Sequence, residues 1–112
     1  MPEPFIIKLK DCTDRALAGG KAAGLERLIR EGFRVPSGFC VTTAAYQDTL
    51  HGAGFDAARR WQRALASTGA DRDRLLSDCR QAIRAAPITD SILRALRHEL
   101  THQNAANWAV RS

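Results

Sequence analysis

Gly19-Gly20-Lys21-Ala22-Ala23-Gly24-Leu25 sets one cation beside flexible backbone at the expected start of a helix. That combination suits a phosphate. Paired glycines let the main chain approach an anion, the first amides of a helix point outward, and Lys21 adds a full charge. The spacing is not that of a Walker loop, and by itself such a segment is more often an ordinary helix entry carrying a solvated lysine. Near the other end, Trp108-Ala109-Val110-Arg111-Ser112 attaches a guanidinium to an apolar stretch. Arg111 is open to two readings, a second phosphate contact or a strand-end charge paired with a nearby carboxylate. The two cations are 90 positions apart, so a shared site requires the fold to bring both ends together.

A different chemistry is written in His98-Glu99-Leu100-Thr101-His102, which matches His-Glu-x-x-His. On a helix this sets two imidazoles one turn apart for zinc and leaves the glutamate as a base, as in metallopeptidases. A catalytic zinc also needs a third protein ligand. None of the residues after His102 is His, Cys, Asp or Glu, and His51 is the only other histidine. At ~100° per residue the two histidines fall nearly opposite Ile92, Leu93, Leu96 and Leu100, in the company of Arg94, which marks a solvated face. Zinc is therefore the rival reading, and no metal site is expected.

The composition narrows the classes. With 112 residues, 45% of them hydrophobic and 26% charged, the chain can form one globular domain at most. No apolar run approaches the ~20 residues of a membrane span, and Met1-Pro2-Glu3-Pro4 lacks the basic and apolar regions of a secretory signal. A cytoplasmic location without a membrane partner is the expectation. Cys12, Cys40 and Cys79 are odd in number and include no Cys-x-x-Cys, so they are expected as reduced thiols. The net charge of +5 comes from 17 basic against 12 acidic residues. Arg59, Arg60, Arg63, Arg72, Arg74, Arg80, Arg84, Arg94 and Arg97 alternate with aspartates over three helical stretches, the pattern of solvated helix faces. No nucleic-acid reader motif accompanies them, so no nucleic-acid partner is expected. A basic, non-catalytic adaptor for an acidic partner stays open, and loss of binding with salt would mark it.

The elements that must position these groups follow from periodicity. Residues 5–9 predict a strand and residues 11–14 a loop. Ala22, Leu25, Leu28 and Ile29 predict a helix from Lys21 to Glu31, stopped by Gly32 and Pro36. Phe39-Cys40-Val41-Thr42 predicts a buried strand, and Thr42 or Thr43 can cap a helix carrying Ala45, Tyr46, Thr49 and Leu50. Residues 56–66 predict a helix with Ala58, Trp61 and Leu65 on one face, and residues 71–86 another with a stripe of Leu75, Leu76, Cys79, Ile83 and Ala86. Thr89 can cap a last helix on Ile92, Leu93, Leu96 and Leu100, and residues 108–111 predict a terminal strand.

The order Gly-Gly-Lys, helix, Val35-Pro36-Ser37-Gly38-Phe39-Cys40-Val41-Thr42-Thr43, several helices and Ala109-Val110-Arg111-Ser112 resembles the start of the nucleotide-binding domain of the phosphoenolpyruvate-utilising dikinases. That family includes phosphoenolpyruvate synthase, pyruvate phosphate dikinase and the rifampicin phosphotransferases. The resemblance covers nearly the whole chain. It implies an ATP-grasp fold that holds Mg-ATP, passes a phosphoryl group to a histidine on a swivelling domain and forwards it to an acceptor bound elsewhere. By motif match, Lys21 and Arg111 are the two phosphate-binding residues carried over. The family's magnesium carboxylates lie past the position of Ser112, so Mg2+ ligands are not expected within these residues.

The implied class is α/β of the α+β type, a helix-rich and incomplete N-terminal portion of an ATP-grasp domain. Its expected parts are 1–50 (strand, helix, strand, helix), 55–103 (helical) and 106–112 (terminal strand). Ser37, Ala22 and Gly24 depart from residues common in the family. The implied partners are ATP, the phosphohistidine domain and an acceptor-binding domain, and the chain by itself is expected not to turn over. The acceptor stays open among pyruvate, phosphate and an antibiotic, with a rifampicin phosphotransferase fragment as the alternative.

Overall fold

The computed structural model describes residues 3–112; Met1 and Pro2, with which the expected segment 1–50 begins, lie outside them. The order of elements is strand, 3-10 turn, two helices, strand and four helices, a helix-rich α+β arrangement. β1 (Ile6–Lys8) and β2 (Phe39–Val41) pair antiparallel, with Ile6 opposite Val41 and Lys8 opposite Phe39. β-Branched and aromatic residues supply both strands, as the pleated surface favours. Leu9, expected in the strand, instead opens a 3-10 turn over Leu9–Asp11. Its amide still reaches the Gly38 carbonyl at 3.0 Å, which extends the pairing by one bond.

Asp14 caps a short helix that the sequence did not announce, α1 (Arg15–Ala18), by accepting the Ala16 amide at 3.0 Å. Gly19, at φ 84° and ψ 167°, then breaks the direction of the chain and starts α2 (Gly20–Arg30). Only glycine adopts that backbone region readily. Gly32, at φ 91°, follows the end of α2 where the sequence placed a stop. Thr42 precedes α3 (Thr43–Gly52) and is buried; its hydroxyl donates to the Pro4 carbonyl at 2.7 Å and accepts the Ala45 amide at 3.4 Å.

The chain divides into two compact units. One runs up to Tyr46 and resumes from Asp90 to Ser112, and the other is Gln47–Thr89. The first is centred on Cys12, Ala22, Ala45 and Ile92, the last from α6 (Asp90–Gln103). Glu26 is buried with them, its carboxylate 3.2 Å from the Arg30 guanidinium. The second unit buries Leu50 and Ala64 and contains α4 (Ala57–Leu65) and α5 (Gly69–Ala85).

α4 turns a different face inward from the one expected. Ala64 is buried, whereas Trp61 and Leu65 are exposed. The reason is the tight approach of α5, whose Arg72 donates to the carbonyls of Ala64, Leu65 and Ser67 at 2.9–3.2 Å. A small residue lets the helices meet, and the guanidinium satisfies carbonyls left open at the helix end. Arg72 is thus a structural residue and not part of a solvated arginine face.

The terminal strand expected over 106–112 does not form among the described residues. The sheet holds two strands only, and the tail is held by a side chain: Trp108 meets Phe39 edge-on at 5.6 Å. Without a ladder partner an apolar sequence remains extended coil, and Val110 stays 91% exposed.

Candidate nucleotide-phosphate site

Lys21 projects from the first turn of α2 and is exposed. Its ammonium donates to the backbone oxygen of Ser112, the residue beside Arg111. The fold therefore brings the start of α2 and the Ala109-Val110-Arg111-Ser112 segment to one place. No described side-chain carboxylate pairs with Lys21 or Arg111, and the Arg111 side chain is exposed. Amides in the first helical turn lack partners inside their own helix and carry the positive end of its dipole. A flexible glycine entry, those amides and the Lys21 ammonium can receive an anion, and Arg111 is the neighbour of the residue that Lys21 touches.

Several residues that the motifs did not identify hold this place. The Thr43 hydroxyl donates to the Ala16 carbonyl at 3.0 Å, and the Cys40 thiol to the Ala18 carbonyl at 3.2 Å. Both bonds tie α1 to the β2–α3 junction, immediately before Gly19. Phe39 holds Trp108 and so carries the tail. The Val-x-Thr-Thr wording contained Thr43, but contacts 22 and 27 residues apart leave no periodic signal.

Cys12 is fully buried, its thiol donating to the Lys8 carbonyl at 3.3 Å. Burial first, then the Cys40 thiol and the nearby acids Asp11 and Glu26, push Cys12 from its usual 9.0 up to about 11. Burial also raises Cys40, partly offset by the neighbouring Cys12 thiol. A nucleophilic cysteine needs a thiolate at neutral pH, so these two thiols pack the structure and do not react.

The zinc rival has a different geometry. The His98 and His102 rings stand 4.2 Å apart on the exposed side of α6, and the Nδ1 of His102 lies 3.1 Å from the His98 carbonyl. Glu99 accepts a hydrogen bond from Gln103 at 3.0 Å. Among the described residues no group of three or more His, Cys, Asp or Glu side chains is placed to hold a metal.

A separate cleft of about 770 Å³ opens at the other end of α2, lined by residues that include Ile29, Phe33 and Pro36. Neither Lys21 nor Arg111 borders it. The contact of Lys21 with Ser112 lies apart from this cleft.

The chain belongs to the family of the pyruvate phosphate dikinase AMP/ATP-binding domain, whose model matches residues 15–112. It is similar to rifampicin phosphotransferases. Identity is 34% to one from a Streptomyces species and 32% to one from Bacillus cereus, each over 96% of this chain. It is 31% to one from Streptomyces sviceus, over 98% of this chain. The chain spans about 13% of the length of these relatives. No solved structure matches it significantly. The matched region contains α1, α2, Lys21 and Arg111, so the family resemblance reaches both proposed contacts.

Proposed function

We propose that this chain is the part of a dikinase-type phosphotransferase that holds the phosphates of ATP, with Lys21 and Arg111 as the two cationic contacts. The supporting observation is the contact of the Lys21 ammonium with Ser112, beside Arg111. Phosphoryl transfer demands charge neutralisation and alignment more than covalent help from the protein. Lys21 draws the phosphate chain toward the amides of α2, and Arg111 adds a planar, two-pronged donor from the opposite terminus.

Magnesium would add positive charge to the phosphates in the parent reaction, but the described carboxylates form no group that fits it. The neutralisation that this chain supplies comes from its cations and helix start. The phosphoryl group then passes to a histidine on a swivelling domain and on to an acceptor. Rifampicin, named for the relatives, is one acceptor; pyruvate and phosphate are equally compatible with Lys21 and Arg111, which hold ATP and do not meet the acceptor. We place the protein in the cytoplasm, in keeping with its three free cysteines. No described helix is long and apolar enough to cross a membrane.

Titration with a fluorescent ATP analogue tests the site. Loss of one charge-assisted contact costs about 1.5–3 kcal/mol, so Lys21→Ala and Arg111→Ala should each weaken binding roughly tenfold or more. Wild-type affinity in both variants would remove these residues from the site. Equal binding of inorganic tripolyphosphate, lost at physiological salt, would favour the basic adaptor instead.

A further inference from the structure

The cleft at the C-terminal end of α2 combines an apolar lining with uncompensated charge. Ile29, Phe33 and Pro36 line it together with Lys8, Lys10 and Arg34. All three cations are exposed, and none forms an ion pair among the described residues. Phe33 is 61% exposed, although it lies in a concave part of the surface. Ile29 lies about 12 Å along α2 from Lys21, at ~1.5 Å of rise per residue, and neither Lys21 nor Arg111 borders the cleft, so it is separate from the proposed phosphate site.

We propose that this cleft docks an acidic polypeptide segment bearing one bulky apolar anchor residue. The anchor covers Phe33, Ile29 and Pro36, and flanking carboxylates meet Lys8, Lys10 and Arg34. Charge complementarity selects the sign of the partner, because three unpaired cations around one hollow attract anions and repel a basic surface. Shape selects a peptide over a small molecule. Small-ligand sites enclose most of their ligand, whereas this cleft leaves most of the Phe33 ring in water and suits a segment laid across it. An apolar centre within a charged border is also the usual anatomy of a protein interface.

The test is fluorescence polarisation with a short fluorescein-labelled peptide of alternating Glu and Asp around a central Leu-Phe pair, added to the whole chain. Binding should be saturable, and Phe33→Ser and Arg34→Glu should each weaken it about fivefold or more while the melting temperature holds. Lys10→Glu provides a second charge reading should either variant fold poorly. Lys21→Ala should leave peptide binding unchanged, which separates this surface from the nucleotide site. Absence of binding, unchanged binding in the charge variants, or equal binding of a lysine-rich peptide with the same anchor would overturn the proposal. So would equal displacement by single-stranded oligothymidine, or self-association of the chain that Phe33→Ser abolishes, since the occupant would then be nucleic acid or a second copy.

Discussion

The ammonium of Lys21 donates to the backbone oxygen of Ser112, 91 residues further along the chain. If Lys21 and Arg111 bind one phosphate chain, their effects on ATP affinity should be coupled. Contacts that share a ligand deviate from additivity by about 0.5–3 kcal/mol in a double-mutant cycle. The cycle of Lys21→Ala and Arg111→Ala, read by calorimetry with ATP, should show that coupling. Additive losses would assign the two cations to separate places.

Gly19 and Gly24 should respond oppositely to alanine. At Gly19, with φ 84° and ψ 167°, a Cβ meets no atom within 4 Å, so the cost is that of the backbone alone, about 1–3 kcal/mol. Gly24 lies inside α2, also with open space around a Cβ, and alanine there should stabilise by about 0.5–1 kcal/mol. Urea unfolding of both variants measures the contrast. Because Gly19 aims the start of α2, Gly19→Ala should also weaken ATP binding.

The two ion pairs at the end of α2 should be unequal. Arg27 and Glu31 are 72% and 50% exposed, so Arg27→Ala should change stability by less than about 0.5 kcal/mol. Glu26 is only 7% exposed at its side chain, and Arg30→Ala strands that buried carboxylate. Arg30 itself is 68% exposed, which moderates the loss to about 1–2 kcal/mol. Equal destabilisation by the two alanine variants would contradict the burial of Glu26.

Cys12 predicts an alkaline limit to stability. Its pKa in the folded chain, about 11, lies above the usual 9.0, so the folded state retains the thiol proton after the unfolded state has lost it. The contribution is full below about pH 9 and fades as pH rises toward about 11, where both states have ionised. Melting temperature should fall through that window, and less steeply in Cys12→Ser. In the native chain at neutral pH, iodoacetamide should modify Cys12 only after unfolding.

Much of this was legible in the residues themselves. Local rules sufficed for α2 and its Gly32 stop, for β1 and β2, and for the helices after Pro36, since periodicity, caps and turn residues act within a few positions. The Gly-Gly-Lys and Val-Arg-Ser wording pointed to the family and to both cations. Residues 15–18 were not legible, because one capping aspartate and four residues carry almost no periodic signal. Nor was the inward face of α4, where the approach of Arg72 decided between Trp61 and Ala64.

By itself, then, the sequence determined the helix-rich α+β class, the glycine break before Lys21 and the two cations of the proposed site. Tertiary structure decided that Lys21 meets the residue beside Arg111. That decision belongs to long-range contacts, the Cys40 and Thr43 bonds to α1 and the Trp108 ring on Phe39, which place Lys21 beside Ser112. It also decided that residues 106–112 remain without a ladder and that Phe33 faces an open cationic cleft. Strand pairing and side-chain docking are properties of two distant segments at once, whereas a local pattern describes one segment at a time.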